Sequence, residues 1–332
     1  MNTSFPLNKN RTPGRSRVAC TFSVLLLMFA VSFTLSSCGS DSDETDGIVI
    51  PPEDAAECVT AEQEAQTRKF IEKNLVEIAT LSTFVSDNYQ VKVYSTKPTL
   101  HVGYNDLYFT VVKKATGNHV KTASFGNFHP LMSMNGGAKK HSTPIGKSFD
   151  QVEQMPIYHT WASFLMPTDV ASNSVWFMSF NYSIKGHTVE VPDLPFTVEA
   201  LPQGQAWLKN FKYNDTVYFL TLVNPGKFIT GNNVIEAYVS KKAADMTQPF
   251  PLADETFSID IYPTMPDMGN HSSPNNVGLT KQPSGIYQGQ LNLSMTGLWY
   301  IRLQVKDSSG TVIAGGENYA EGMGMLYWEV TL

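Results

Sequence analysis

The chain carries the same pattern twice, and that repetition limits what it can fold into more than any other feature. His101-Val-Gly-Tyr-Asn-Asp-Leu-Tyr-Phe-Thr-Val-Val-Lys-Lys-Ala115 aligns without a gap on Ile229-Thr-Gly-Asn-Asn-Val-Ile-Glu-Ala-Tyr-Val-Ser-Lys-Lys-Ala243, so that Gly103 meets Gly231 and Asn105 meets Asn233. Further along, His129-Pro-Leu-Met-Ser-Met134 followed by His141-Ser-Thr-Pro144 echoes Pro263-Thr-Met-Pro-Asp-Met268 followed by His271-Ser-Ser-Pro274. Tyr158, Met166 and Trp176 are then matched in order by Tyr287, Met295 and Trp299, with the same tyrosine-to-methionine spacing. Three blocks in one order imply a duplicated unit. One copy spans 85–202 and the other 208–332, with Leu201-Pro-Gln-Gly-Gln205 as the hinge. Within both copies, short runs rich in Val, Ile, Tyr, Phe and Thr stand between Gly, Asn, Pro and Asp. Tyr89–Tyr94, Leu107–Val112, Ser174–Ile184, Phe196–Glu199, Thr216–Val223, Val234–Val239, Phe257–Tyr262, Ile286–Leu293, Trp299–Val305 and Leu326–Val330 read as strands. Long helical periodicity is missing, so the expectation is an all-β chain of two sandwiches or barrels.

What precedes the repeats is expected to be exported and tethered. Lys9, Arg11, Arg15 and Arg17 form a basic stretch before the apolar run Val18 to Leu35, which ends in Leu35-Ser36-Ser37-Cys38. Residues 1–37 therefore read as a signal peptide, and the cysteine motif looks like a bacterial lipobox, with Cys38 as the lipidated residue. Residues 38–59 are rich in Ser, Asp and Glu and read as a flexible tether. Its acidic run Asp41-Ser-Asp-Glu44 resembles the export tag of surface lipoproteins in some Gram-negative bacteria. The protein is then expected in the cell envelope, lipid-anchored to the outer membrane, on its periplasmic or its surface side. Loss of the leader takes the formal charge from −6 to −10, because four basic residues go with it. So acidic a chain excludes nucleic acid as a partner. Cys20 leaves with the signal and Cys38 carries lipid, so the mature chain forms no intramolecular disulfide with Cys58. Residues 60–84 read as a helical spacer, with Thr60-Ala-Glu-Gln63 as a capping box and Ile71, Leu75 and Ile78 on one helical stripe over 60–79. His101, His119, His159 and His187 read as surface or turn residues.

The residues that could carry chemistry are methionines and histidines. In Tyr262-Pro-Thr-Met-Pro-Asp-Met-Gly-Asn-His-Ser-Ser-Pro274, three prolines forbid a regular helix. Methionine usually fills cores, and no core is expected in such a loop. Met265, Met268 and His271 could instead supply two thioethers and an imidazole to a soft metal ion, Cu(I) above all; or the methionines cap the end of a sandwich. Met132, Met134 and His141 form a second candidate set in the first copy, without the central proline. Met295 is a candidate auxiliary ligand or a core plug, and Met323-Gly-Met325 is one further pair. No Gly-x-Ser-x-Gly, His-Glu-x-x-His, phosphate-binding loop or Cys-x-x-Cys is present, so the chain is not expected to be an enzyme.

Met265-Pro-Asp-Met-Gly-Asn-His271, Gly285-Ile-Tyr287 and Met295-Thr-Gly-Leu-Trp299 together make the second copy similar to the YtkA-like/FixH-like family of extracytoplasmic domains. The resemblance implies an immunoglobulin-like β-sandwich and a link to copper. The expected function is a non-catalytic envelope lipoprotein that binds or buffers copper and hands it to another metal-handling envelope protein or to an efflux system. The alternative is a structural or adhesive surface module that binds protein or glycan.

Overall fold

The computed structural model describes residues 57–202, 205, 207–316 and 326–332. The leader, Cys38, most of the tether, and Met323 and Met325 lie outside the described residues. Among those described, no helix is long and apolar enough to cross a membrane.

Helix α1 (Ala61–Asn74) opens with the expected capping box: Thr60 accepts from the Gln63 backbone, and the Gln63 side chain accepts from the Thr60 backbone. It stops before 79 because Leu75 is already extended. Its docking face also differs from the expected apolar stripe, since the buried residues within the helix are Glu64 and Thr67. Glu64 accepts from the His119 backbone N–H at 2.9 Å and faces His119 Nδ1 at 3.0 Å, with Arg68 beside it. His119 is consequently buried rather than on the surface. Burial pushes the Glu64 carboxyl up, but the donors of His119 and Arg68 outweigh it and hold the group below its usual 4.5.

The first copy comprises β1 (Tyr89–Ser95), β2 (Gly103–Lys113), β3 (Ser124–Met134), β4 (Lys139–His141), β5 (Tyr158–Phe164), β6 (Val175–Ile184) and β7 (His187–Phe196). Strands β1, β2 and β5 adjoin in one antiparallel sheet, and β7, β6, β3 and β4 make the other. Alternate residues such as Val91, Val93, Leu107, Phe109, Met178 and Phe180 point between them. This is the expected immunoglobulin-like sandwich.

The second copy comprises β8 (Leu208–Tyr213), β9 (Thr216–Leu222), β10 (Gly231–Lys241), β11 (Ser258–Met265), β12 (His271–Ser272), β13 (Val277–Lys281), β14 (Tyr287–Leu293), β15 (Leu298–Lys306), β16 (Val312–Gly315) and β17 (Tyr327–Thr331). Here β13 pairs with both β14 and β11, so the two layers join into one ten-stranded sheet that wraps a single core.

The duplication is visible bond by bond. Asn105 accepts from the His101 N–H and donates to the carbonyls of His101 and Gly103; Asn233 does the same with Ile229 and Gly231. The Tyr158 hydroxyl accepts from the Ala123 N–H, as Tyr287 does from Phe257. The indoles of Trp176 and Trp299 donate to the carbonyls of Met166 and Met295.

The two copies are also bonded to each other. Trp161 stacks on Tyr238 at 4.2 Å, with Tyr104 alongside. The Ser142 N–H donates to the Met246 carbonyl at 2.7 Å, and the Phe250 N–H to the Thr143 carbonyl at 3.0 Å. Asn224 reaches across to Asp106 at 3.2 Å. The expected hinge at 201–205 thus joins sandwiches already held face to face.

Candidate functional site

Residues directly opposite on neighbouring antiparallel strands share a face, with Cβ atoms about 4.5–5.5 Å apart. In the first copy, Met132 of β3 lies opposite His141 of β4 on one side and Trp176 of β6 on the other; Trp176 in turn faces Phe196 of β7. A row His141–Met132–Trp176–Phe196 therefore crosses four strands inside the sandwich. Met132 and Trp176 are fully buried, and His141 is 4% exposed. Met134, two residues on, shares the face of Met132 and is half-buried at the hairpin mouth. The fold thus gathers Met132, Met134 and His141 on one face.

The second copy builds the same row. Met265 of β11 lies opposite His271 of β12, the pairing of Thr264 with Tyr300 sets Met265 against Trp299, and Trp299 faces Val330. The rim is open here, however. Met265 is 5% exposed, with its Cε beside Gly297, where a Cβ would come within 2.9 Å. Met268 sits on a 3₁₀ turn at 56% exposure, and His271 is exposed. One thioether of the Met265, Met268 and His271 set is in the core, and the other two donors are at the surface. Met265 occupies a core position because β11 runs on through Pro263, where a loop was expected. Met295 packs partly on the core and offers its backbone carbonyl to Trp299.

The surroundings of His141 are chemically unusual. Its Nδ1 is 2.8 Å from the Ser142 carbonyl, which can only accept, so Nδ1 carries the hydrogen. In a neutral imidazole Nε2 is then a bare lone pair, and it is buried with no hydrogen-bond partner. An unsatisfied acceptor of this kind costs about 1–3 kcal/mol. The Trp176 ring lies at 5.4 Å, perpendicular to it. A bare imidazole nitrogen beside a thioether is a donor set suited to Cu(I), with Nδ1 oriented by a carbonyl as ligating histidines commonly are. Among the described residues no three of His, Cys, Asp and Glu gather to hold a metal, so a metal site there needs methionine sulfur.

Two other clusters lie between the sandwiches. Asp106 accepts from Tyr104 at 2.7 Å, His159 at 2.9 Å and Asn224 at 3.2 Å; burial pushes its carboxyl up, and these donors outweigh it and hold it below the usual range. With its oxygens satisfied, it acts as a latch. A cavity of about 400 Å³ lined by Val102, Leu165, Leu201, Leu208 and Phe219 has no titratable side chain among its lining residues.

No family model matches the chain, and no curated protein matches it. Among solved structures it is similar to the adhesin InvE of Yersinia pseudotuberculosis, at 10% identity and a TM-score of 0.21. The match covers 78% of this chain and 60% of that one. A likeness of that size bears on neither fold nor function.

Proposed function

We propose that this chain is a non-catalytic envelope protein that binds a soft metal ion, Cu(I), through Met/His pairs at the hairpin rims of its two sandwiches. The observation that supports it is the repeated register: Met132 opposite His141, and Met265 opposite His271. These residues would hold the ion, with Met134 and Met268 as outer donors, and the ion would be cargo rather than a catalyst. Lipidation at Cys38 would keep the cargo at the membrane. The test is a Cu(I) titration of the full-length protein in detergent against a chromogenic Cu(I) chelator. Competition for about one equivalent per sandwich is expected, and loss of competition when both histidines are replaced. A parent protein that never competes ends this reading.

A second reading, a surface module for protein or glycan, is favoured by one feature. On the outer face of the second copy, exposed Val234 and Val277 flank Gln290 in one cross-strand row. Glycan-array binding that disappears with Val234→Glu, in a protein with no Cu(I) competition, would select it.

A further inference from the structure

Given that reading, on which this inference rests, we infer that the two rims are unequal: the first sandwich holds the tight, occluded Cu(I) site, made by His141 Nε2, the Met132 sulfur and the indole of Trp176, while the second is an open exchange site. Five observations carry it. The only carbonyl-bound nitrogen of His141 is Nδ1, which leaves Nε2 without a proton or a donor inside the protein. Met132 is the cross-strand neighbour of both His141 and Trp176, so its thioether sits between the two rings' strands. The Trp176 N–H is already spent on the Met166 carbonyl, and the indole, packed among Phe164 and Phe196, lies 5.4 Å from the His141 ring; indole rings attract cations within about 6 Å. Met134 stands half-buried on the same face toward the hairpin mouth, as a thioether step between solvent and the interior. At the second rim, His271 and Met268 are exposed. Water and competing ligands reach them directly, and a bound ion is easily released there.

The assignment makes the first copy, whose motif is the less regular one, the stronger binder. A buried, neutral donor set that excludes water also disfavours Cu(II), which takes harder and more numerous ligands. The experiment uses the full-length protein in detergent with Cu(I), and Ag(I) as a redox-inert probe. The first equivalent should quench tryptophan emission in the parent and not in Trp176→Phe. His141→Asn retains an amide N–H for the Ser142 carbonyl and removes the Nε2 lone pair. It should weaken the tight equivalent by more than about 100-fold, beyond the usual loss of an outer-shell partner. His271→Ala should leave that equivalent unchanged and remove the weaker one. If His141→Asn does not fold, the ¹⁵N resonance of His141 Nε2 in the parent decides: it shifts with the first equivalent, or the inference is wrong. Tight binding that survives His141→Asn and fails in His271→Ala overturns the inequality but leaves Cu(I) binding intact. No chelator competition in the parent overturns the Cu(I) reading itself.

Discussion

Asn105 and Asn233 offer a direct measure of how far the duplicated architecture rests on one side chain. Each amide closes a turn at the start of an eleven-residue strand, where Gly103 and Gly231 have positive φ, at +87° and +101°. Each makes three hydrogen bonds to backbone groups two and four residues earlier, of 2.7–3.0 Å. A net value of about 0.5–1.5 kcal/mol per bond makes Asn105→Ala cost about 3 kcal/mol, since the site is buried and water cannot replace the lost partners. Asn233→Ala should cost about 2 kcal/mol, because its turn is partly open to solvent. For a chain of this size 3 kcal/mol lowers Tm by about 6–12 °C. Asn105→Asp keeps the shape but turns both donors into a carboxylate facing two carbonyls, and should be worse than alanine. Urea unfolding and calorimetry of the three single variants measure this. An Asn105→Ala variant within about 0.5 kcal/mol of the parent, or an aspartate variant no worse than the alanine one, would refute the reasoning.

Gly297→Ala should destabilise the second sandwich by about 1–3 kcal/mol, since its φ is +125° and the new Cβ would meet Met265 Cε; near-UV dichroism and Tm report it. Glu64 has a folded pKa below its usual 4.5, so its contribution is complete above that value and drains away as pH falls through the lowered one. Amide exchange across α1 should rise below about pH 4.5, and Glu64→Gln should remove that acid limb. Tyr104→Asn with Trp161→Gln imports the second copy's residues into the junction and should split one calorimetric unfolding transition into two. Cys38→Ala should move the protein from the membrane fraction to the soluble one with unchanged dichroism, as detected by fractionation.

Much of this architecture was legible in the sequence because the duplication pinned it. Asn105, Tyr158 and Trp176 find their partners in Asn233, Tyr287 and Trp299 by their order in the duplicated blocks, although the stretch from Met166 to Trp176 is longer than that from Met295 to Trp299, and the structure gives each pair the same hydrogen bond. Of the strands that went unread, β3 and β7 carry prolines or a bulge, whereas β5 and β8 are regular and carry neither. Strand β3 contains Pro130 and shifts register between Gly126 and His129, with Asn127 at φ +50°. Strand β7 contains Pro192 and Pro195 at a sheet edge, where the missing N–H groups are tolerated. The same effect misled the reading of Met265, because Pro263 suggests a loop while the chain continues as strand to the methionine. The burial of His141 against the exposure of His271 was not legible at all. The two histidines hold equivalent register positions, and only the surrounding packing separates them.

The largest divergence between the copies has a similar origin. Tyr104, Asp106, Trp161 and Ser163 point outward from β2 and β5, and their register partners match those of Asn232, Val234, Gln290 and Asn292 on β10 and β14. In the first copy that face meets the second sandwich, so it carries stacking rings, a satisfied carboxylate and a hydroxyl bonded to Thr221 at 2.9 Å. In the second copy the same face meets water, so it carries amides and valines. An outward strand position reads as polar or aromatic whether it faces a neighbour or solvent, so one copy's residues cannot be inferred from the other's. Helix α1 completes the series from the other end: its Glu64 docks on His119, whose strand neighbour is Val112 of β2. The helix therefore does for the first sandwich what the first does for the second. A hairpin rim of each module carries its Met/His pair, and the burial of His141 against the exposure of His271 makes the two copies chemically different.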